Sequence, residues 1–279
     1  METKLETKSG TTSHLLASGL GWRVSDVVCT AGPQDPSFEE RHEAVCIAAV
    51  TQGTFRYRSA QGVALLAPGA LLLGNAGHCF ECGHEYGTGD RCLAFHFAPD
   101  HLEAILAAAP GLRRAAFTVP SLPPSPWLLP LVAAAETARD HDDAAELEEL
   151  ALRLAGAAAA LAADVATVRA PSARDQRRVT QALRRIEADF RERLTLAELA
   201  REAATSPYHF LRTFRHVVGM TPHQFILRTR LNRAAVWLRG SRESIFAIAL
   251  DAGFDDLSTF NRRFRRVMGV SPSAYRARG

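Results

Sequence analysis

Phe210-Leu-Arg-Thr-Phe214 recurs fifty positions later as Phe260-Asn-Arg-Arg-Phe264. The segment that follows recurs with it, since Gly219-Met-Thr-Pro222 corresponds to Gly269-Val-Ser-Pro272. In each copy, two phenylalanines four positions apart indicate a helix with one apolar face. The helix ends at a glycine, and a proline three positions later breaks the chain. Two tandem copies of one small helical unit predict a modular binding surface.

Charge is divided unevenly along the chain. Its 279 residues carry a formal net charge of +3, but residues 172–279 contain 21 Arg, no Lys and 10 acidic side chains, a net charge of +11. The remaining residues, with 12 basic and 20 acidic side chains, carry −8. This asymmetry predicts that one part of the chain binds a polyanion. Arg in place of Lys favours bidentate contacts to phosphates and guanine edges.

A second, shorter helix precedes each copy of the repeat. Thr195 and Glu198 have the spacing of a capping box, and Ser206-Pro207 opens the helix that carries Phe210. A short helix, a tight turn and a second helix make a helix-turn-helix. We expect such units at about residues 195–218 and 245–267, within a domain of residues 176–279.

Residues 20–166 form a second predicted domain, which begins with strands. Short apolar or alternating runs such as residues 45–50 and 91–97, separated by turn residues, predict a β-sandwich or barrel. Helical spacing of apolar residues follows at residues 101–109, 127–140 and 144–165. With residues 167–175 as the linker, the predicted fold class is α+β.

The C-terminal motifs carry a family resemblance. The segment Ile245-Phe-Ala-Ile-Ala-Leu-Asp-Ala-Gly-Phe254, with Phe260, Phe264 and Pro272 beyond it, resembles the signature of the AraC/XylS family of bacterial transcription regulators. In that family an N-terminal cupin-like β-barrel senses a signal and helps to form dimers, and residues 20–165 look similar. The resemblance implies a sequence-specific DNA-binding transcription factor that is not an enzyme and requires no cofactor.

Helix geometry selects the side chains that face DNA. A recognition helix presents its N-terminal turns to the major groove, while the paired phenylalanines face the core. Asn261 suits an adenine edge and Arg262 a guanine edge, while Arg265 and Arg266 suit phosphates. The predicted DNA-binding residues are Tyr208, His209, Leu211, Arg212 and Arg215 in the first unit, and Ser258, Thr259, Asn261, Arg262, Arg263, Arg265 and Arg266 in the second.

The expected partners follow from the same resemblance. They are operator or promoter duplex DNA, RNA polymerase, a second copy of the chain, and an unknown small-molecule, metal or redox effector. The homodimer is also suggested by the Ala/Leu-rich segment 144–165, whose apolar face is wide for a surface helix. No uncharged apolar run is long enough to span a bilayer, and the first residues lack signal-peptide features. We therefore expect no membrane partner and a cytoplasmic location on the bacterial nucleoid.

A cluster of metal-ligand types stands apart from the DNA-binding motifs. Cys79, Cys82 and His84 have plausible spacing for a metal or redox site, and strands that carry His42 and His96 are expected nearby. Buried cysteines and a surface histidine are the alternative interpretation. The sequence leaves open whether this cluster binds an ion.

Two other functions remain open at the level of sequence. One is a cupin-type metalloenzyme fused to a DNA-binding domain, although the compact His-x-His and Glu pattern of metal cupins is absent. The other is a metal- or alkylation-responsive DNA-repair regulator, which needs four Cys ligands where this chain offers one close pair.

Overall fold

The computed structural model describes residues 6–8, 10–84, 89–107, 116–125, 127–163 and 171–277. The linker was expected at residues 167–175, and its residues 167–170 lie outside the described part of the chain. Residues 164 and 165, the last two of the helix expected at 144–165, also lie outside it. No helix in the described part of the chain is both long and apolar enough to cross a membrane.

Two antiparallel sheets form the N-terminal domain. The larger sheet has the order β1-β2-β3-β10-β5-β8-β11, and the smaller has the order β4-β9-β6-β7. The strands are β1 (Glu6–Lys8), β2 (Thr11–Gly19), β3 (Trp22–Cys29), β4 (Phe38–Arg41), β5 (Val45–Gly53), β6 (Phe55–Ser59), β7 (Gly62–Leu66), β8 (Leu71–Gly74), β9 (Cys79–Gly83), β10 (Asp90–Phe97) and β11 (Ser121–Leu122).

Both faces of the larger sheet are buried, which explains why β5 is a continuous apolar run. Cys46, Ala48 and Val50 face the smaller sheet, in one core with Tyr57 and Leu66. The alternate residues Val45, Ile47 and Ala49 belong to the core beneath the helices. A strand that is covered on both sides needs apolar residues at every position, so the usual alternation disappears.

Three helices cover the outer face of the larger sheet: α1 (Pro99–Ala107), α2 (Leu129–Asp140) and α3 (Ala144–Ala163). In α3, Leu147, Leu150, Leu154 and the alanines beside them are buried against this sheet and the other helices. Packing within the chain therefore accounts for most of the wide apolar face from which a dimer was expected. Leu152 is 44% exposed on the opposite side of the helix.

The C-terminal domain is helical and contains both expected helix-turn-helix units. Its helices are α4 (Ala173–Asp189), α5 (Leu196–Glu202), α6 (Pro207–Val218), α7 (Pro222–Gly240), α8 (Ile245–Asp251), α9 (Leu257–Met268) and α10 (Pro272–Arg276). The capping box of Thr195 and Glu198 is present. Gly219 and Gly269 end α6 and α9 in the left-handed conformation, with φ of 81° and 78°.

The two domains meet at α2 and α7. Leu129 and Ala133 of α2 belong to the core of the second helix-turn-helix unit, together with Leu231 and Ala234 of α7. Other residues of α2, among them Val132, pack in the core of the N-terminal domain. A single helix thus contributes to the cores of both domains.

The structure differs from expectation at the start of the chain. The predicted boundary at residue 20 leaves out β2, whose residues pair with β3 along its whole length. The short terminal helix α10 was also not expected, although Tyr275 within it packs on Phe264 with ring centroids 5.4 Å apart. Both elements are short or polar and are stabilised by the neighbour that they contact.

Candidate nucleic-acid interface

Paired phenylalanines fix the orientation of α6. Phe210 and Phe214 are fully buried, with ring centroids 5.7 Å apart, and Phe214 also packs edge-on against Phe225 of α7. The side chain of Ser206 accepts a hydrogen bond from the backbone N–H of His209 and caps the helix start. Because one face is held in the core, the opposite face of the first two turns points to solvent.

The second unit repeats this arrangement in α9. Phe260 and Phe264 are fully buried with centroids 5.4 Å apart, and Phe254 in the preceding turn packs edge-on against Phe260. Asp256 caps the helix by accepting a hydrogen bond from the N–H of Thr259, at 2.7 Å. This hydrogen bond is the largest cause of the lowered pKa of Asp256, so the cap is an anion at neutral pH.

The predicted DNA-binding residues lie on the outer faces of these two helices. His209, Leu211, Thr259 and Arg263 are partly buried, because they flank the core face. The others are exposed: Tyr208, Arg212, Arg215, Ser258, Asn261, Arg262, Arg265 and Arg266. None of the twelve is buried, so all of them keep at least part of their surface available to a partner.

The recognition-helix arginines are free of salt bridges within the described residues. The acidic groups of the C-terminal domain that do form salt bridges bind other arginines, such as Arg185 on α4 and Arg193 between α4 and α5. In α9, Asn261, Arg262, Arg265 and Arg266 line a shallow groove whose other wall is Ser271–Ser273. A row of exposed cations that are not engaged in salt bridges, on a preformed groove, suits a phosphate backbone.

A second cluster lies in the N-terminal domain and differs from the one expected there. Cys79 is exposed and Cys82 is buried, because residues three apart in strand β9 point to opposite faces. The structure therefore does not bring Cys79 together with Cys82 and His84. Among the described residues, it instead brings His84 together with Cys29 and Asp90, with one potential ligand atom of each within 4.8 Å of the others.

His84 is the centre of this second cluster. Its Nε2 lies 2.6 Å from Oδ2 of Asp90, and both side chains are almost completely inaccessible to solvent. Burial opposes protonation, but hydrogen bonds to Asp90 and Cys29 raise the pKa of His84 to about 9. Burial likewise opposes ionisation of Cys29, yet its hydrogen bonds with His84 and with the backbone of Ala31 leave the pKa of the thiol lowered.

His42 and His96, which the sequence placed near the expected metal site, lie outside the cluster of Cys29, His84 and Asp90. His42 is buried, with Nε2 2.9 Å from the hydroxyl of Tyr57 and its ring stacked on Phe80 at 4.1 Å. Burial lowers the pKa of His42 and of His96 to about 4, so both are neutral at physiological pH. Both are structural residues on the side of the larger sheet that faces the smaller sheet: His42 contacts Tyr57, and His96 alternates along β10 with Cys92 and Ala94.

Cys29 and Asp90 were missed by reasoning from the sequence. They come together because β3 and β10 pair in a register that sets Cys29 opposite Asp90. No short motif encodes this relation, since 61 positions separate the two residues. A prediction of strand pairing between the segments at 22–29 and 90–97 is the only sequence signal that leads to it.

Both domains are similar to known protein families. Residues 199–278 match the family model described as a helix-turn-helix domain, and residues 27–155 match the AraC-like ligand binding domain model. The HTH-type transcriptional activator AarP of Providencia stuartii is 36% identical over 91 residues, which are 33% of this chain and 67% of that protein. The transposon Tn10 TetD protein of Escherichia coli is 38% identical over 91 residues, 33% of this chain and 66% of that protein.

A solved structure is also similar to part of this chain. It is a transcriptional regulator with an AraC-type DNA-binding domain from Chromobacterium violaceum, 30% identical, with a TM-score of 0.36. The similar region covers 38% of this chain and 96% of that chain.

Proposed function

The chain belongs to the AraC-type family of helix-turn-helix transcriptional regulators, and we propose that it binds operator DNA through α6 and α9. The observation that carries the proposal is the pair of recognition helices, each anchored by two buried phenylalanines. Each also carries exposed arginines that form no salt bridge within the described residues. The net charge of +11 over residues 172–279 supplies the attraction to a polyanion.

The two helices contribute differently to recognition of the DNA sequence. In α9, Asn261 and Arg262 reach base edges from the exposed face, while Arg265 and Arg266 lie one turn further on and contact phosphates. In α6, Tyr208 and Arg212 are exposed, but Leu211 is partly buried and offers only an apolar contact to a thymine methyl group. The second unit therefore contributes more sequence discrimination than the first.

We propose that the N-terminal domain senses an effector and transmits its state through α2. This helix lies in the cores of both domains, so a shift of the sheet beneath it changes how α7 is held. Since α7 joins the two helix-turn-helix units, its position determines how they are presented to the DNA. The coupling is a difference in binding free energy, so DNA must also change the affinity for the effector.

We also propose a homodimer that contacts RNA polymerase in the cytoplasm and acts by binding rather than by catalysis. A stripe of exposed or partly exposed apolar residues on α3, formed by Leu152, Gly156 and Ala160, offers a face for a second copy. On α8, Phe246 and Leu250 are 53% and 46% exposed and lie one turn apart, which suits a protein contact.

Selection of bound sequences from random duplex DNA tests the central proposal. The full chain is expected to enrich one motif, and its affinity is expected to fall steeply as salt rises, because arginine contacts release counterions. A variant with Arg262→Ala and Arg266→Ala controls for retention that does not involve α9. Enrichment of no motif, together with binding that salt does not weaken, would contradict the proposal.

A further inference from the structure

Three segments of the N-terminal domain converge on one buried point that the DNA-binding function does not use. Cys29 is the last residue of β3, His84 follows the last residue of β9, and Asp90 is the first residue of β10. One side chain with sulfur, one with nitrogen and one with oxygen thus come together from three separate strand ends. The relative exposure of the Cys29 residue is 5%, and the side chains of His84 and Asp90 are 2% and 7% exposed.

The separation of the donor atoms is close to that of a metal site. Tetrahedral zinc with ligand bonds of about 2.0 to 2.3 Å holds its ligand atoms about 3 to 4 Å apart. The three donor atoms here lie within 4.8 Å of one another. The shortest pair, His84 Nε2 and Asp90 Oδ2 at 2.6 Å, shares a proton that an ion replaces on binding.

Donor type and charge select the ion. Thiolate and imidazole ligands favour zinc and its neighbours over magnesium or calcium, which take oxygen ligands. One thiolate, one carboxylate and a neutral imidazole balance the two positive charges of the ion, so the occupied site has no net charge to bury. Cys92 lies beside the set and donates a hydrogen bond from its Sγ to Oδ1 of Asp90 at 3.4 Å, which helps to hold the carboxylate in place.

We propose that Cys29, His84 and Asp90 bind a zinc ion, and that its binding is transmitted to the DNA-binding domain through Gly53. In the pairing of β10 with β5, Asp90 lies opposite Gly53. Gly53 has φ of 74°, and a side chain there would overlap the carbonyl oxygen of Gly89 and the backbone of Asp90, so the contact is close. The backbone of Gly53 also faces the carboxylate of Glu187 on α4, where it favours the ionised form and so lowers the pKa of Glu187.

This chain of contacts connects the metal ligands to the first helix of the DNA-binding domain. A change in the position of Asp90 moves Gly53, and Gly53 moves the carboxylate of Glu187. The zinc site itself stands independently of the proposed function, whereas its regulatory consequence rests on it.

Zinc binding to the untagged full chain, freed of metal with a chelator, tests the site. Zinc is titrated against a chromophoric competitor, and cobalt is then used as a spectroscopic substitute. We expect one zinc per chain and a thiolate-to-cobalt charge-transfer absorption in the near ultraviolet. Cys29→Ser and His84→Gln are expected to weaken zinc binding by at least about tenfold, an effect of the size known for groups that support metal sites.

Cys79→Ser is the matched control, since Cys79 is an exposed cysteine of the same domain and lies outside the proposed site. It is expected to leave zinc affinity unchanged. Equal loss in Cys79→Ser and Cys29→Ser would overturn the assignment, and so would stoichiometric zinc binding that Cys29→Ser does not weaken. Circular dichroism of the metal-free variants establishes that they fold. If they do not fold, absence of the charge-transfer absorption in the unchanged chain still refutes the site.

A measurement of DNA binding distinguishes the zinc proposal from the proposed function. With a duplex enriched by the selection described above, affinity is measured for the metal-free and the zinc-loaded chain. We expect the two affinities to differ for the unchanged chain and to coincide for Cys29→Ser. Zinc binding without any change in DNA affinity would overturn the link through Gly53, while failure to bind any duplex would overturn the proposed function and leave the zinc site in place.

Discussion

Glu136 and Asn232 join the two domains, since Nδ2 of Asn232 donates a hydrogen bond to Oε2 of Glu136 at 2.6 Å. Glu136 is buried on α2, and Asn232 lies on α7. Burial raises the pKa of Glu136, while the hydrogen bond from Asn232 opposes that rise. A second contact, from Nη1 of Arg239 to Oε1 of Glu146 at 2.7 Å, joins α7 to α3. Each of these hydrogen bonds forms only when its two partners are in register, so together they select one arrangement of the two domains. Apolar packing is non-directional and does not by itself select one arrangement.

Asn232→Ala is expected to destabilise the protein by about 1 to 3 kcal/mol, because it leaves the buried carboxylate of Glu136 without its donor. Urea unfolding measures the change. Asn261→Ala is the matched control, since Asn261 is exposed on α9 and its loss is expected to leave stability unchanged. Equal stability of the two variants would mean that the contact between Glu136 and Asn232 contributes nothing.

Arg262→Ala and Arg266→Ala are expected to weaken DNA binding in different ways. The loss of Arg262 is expected to cost about 1 to 3 kcal/mol and to relax the preference at one base position, as for a bidentate guanine contact. The loss of Arg266 is expected to weaken all sequences about equally and to reduce the salt dependence. Binding measurements on a set of single-base operator variants distinguish the two. Selectivity lost with Arg266 and retained without Arg262 would show that α9 enters the groove in another orientation.

Gly219→Ala and Gly269→Ala form a matched pair at the ends of the two recognition helices. Both positions have positive φ, so both variants are expected to lose about 1 kcal/mol from backbone strain. A Cβ at Gly219 would also lie 2.5 Å from Cβ of Pro123 in the N-terminal domain, whereas one at Gly269 would meet nothing within 4 Å. Thermal unfolding is therefore expected to show a larger loss for Gly219→Ala. The opposite order would mean that the two domains do not meet at Pro123.

Glu187 is expected to make stability depend on pH. Burial raises its pKa from an ordinary value of 4.5 to about 7, although Arg233 and the backbone of Gly53 oppose the rise. Between these pH values the folded chain binds more protons than the unfolded chain, so this group's contribution to stability falls as pH rises from about 4.5 to 7.

Glu187→Gln removes this dependence, and we expect it to be more stabilising at pH 8 than at pH 5. The expected difference is about 1 to 3 kcal/mol, measured by urea unfolding at each pH. Glu198→Gln is a control on a partly exposed carboxylate whose pKa is lowered by its hydrogen bonds with Thr195. A stability difference for Glu187→Gln that shrinks as pH rises would contradict the assignment.

Leu152→Glu is expected to disrupt the proposed homodimer, because it places a charge within the exposed apolar stripe of α3. Light scattering over a range of protein concentrations, with and without DNA, measures the change from dimer to monomer. Arg153→Glu, at the neighbouring exposed position, is the control for added negative charge. A monomer at every concentration of the unchanged chain would refute the dimer.

The sequence by itself determined the DNA-binding domain. The spacing of Phe210 and Phe214, the caps at Thr195 and Ser206, and the glycine at position 219 all act within a few residues of one another. Such signals are local, because a helix brings positions three and four apart onto one face and ends where its backbone is allowed to turn. The exposed reading face then follows from the buried one, which is why the predicted DNA-binding residues lie on outer surfaces.

Only the tertiary structure decided the second cluster and the contact between domains. Cys79 and Cys82 suggested a site by their spacing, but the alternation of a strand sends them to opposite faces, and strand register brings His84 to Cys29 and Asp90 instead. Glu136 and Asn232 are 96 positions apart and meet through the packing of α2 on α7. Register and domain packing depend on which surfaces exclude water together, and no segment of the chain encodes that choice alone.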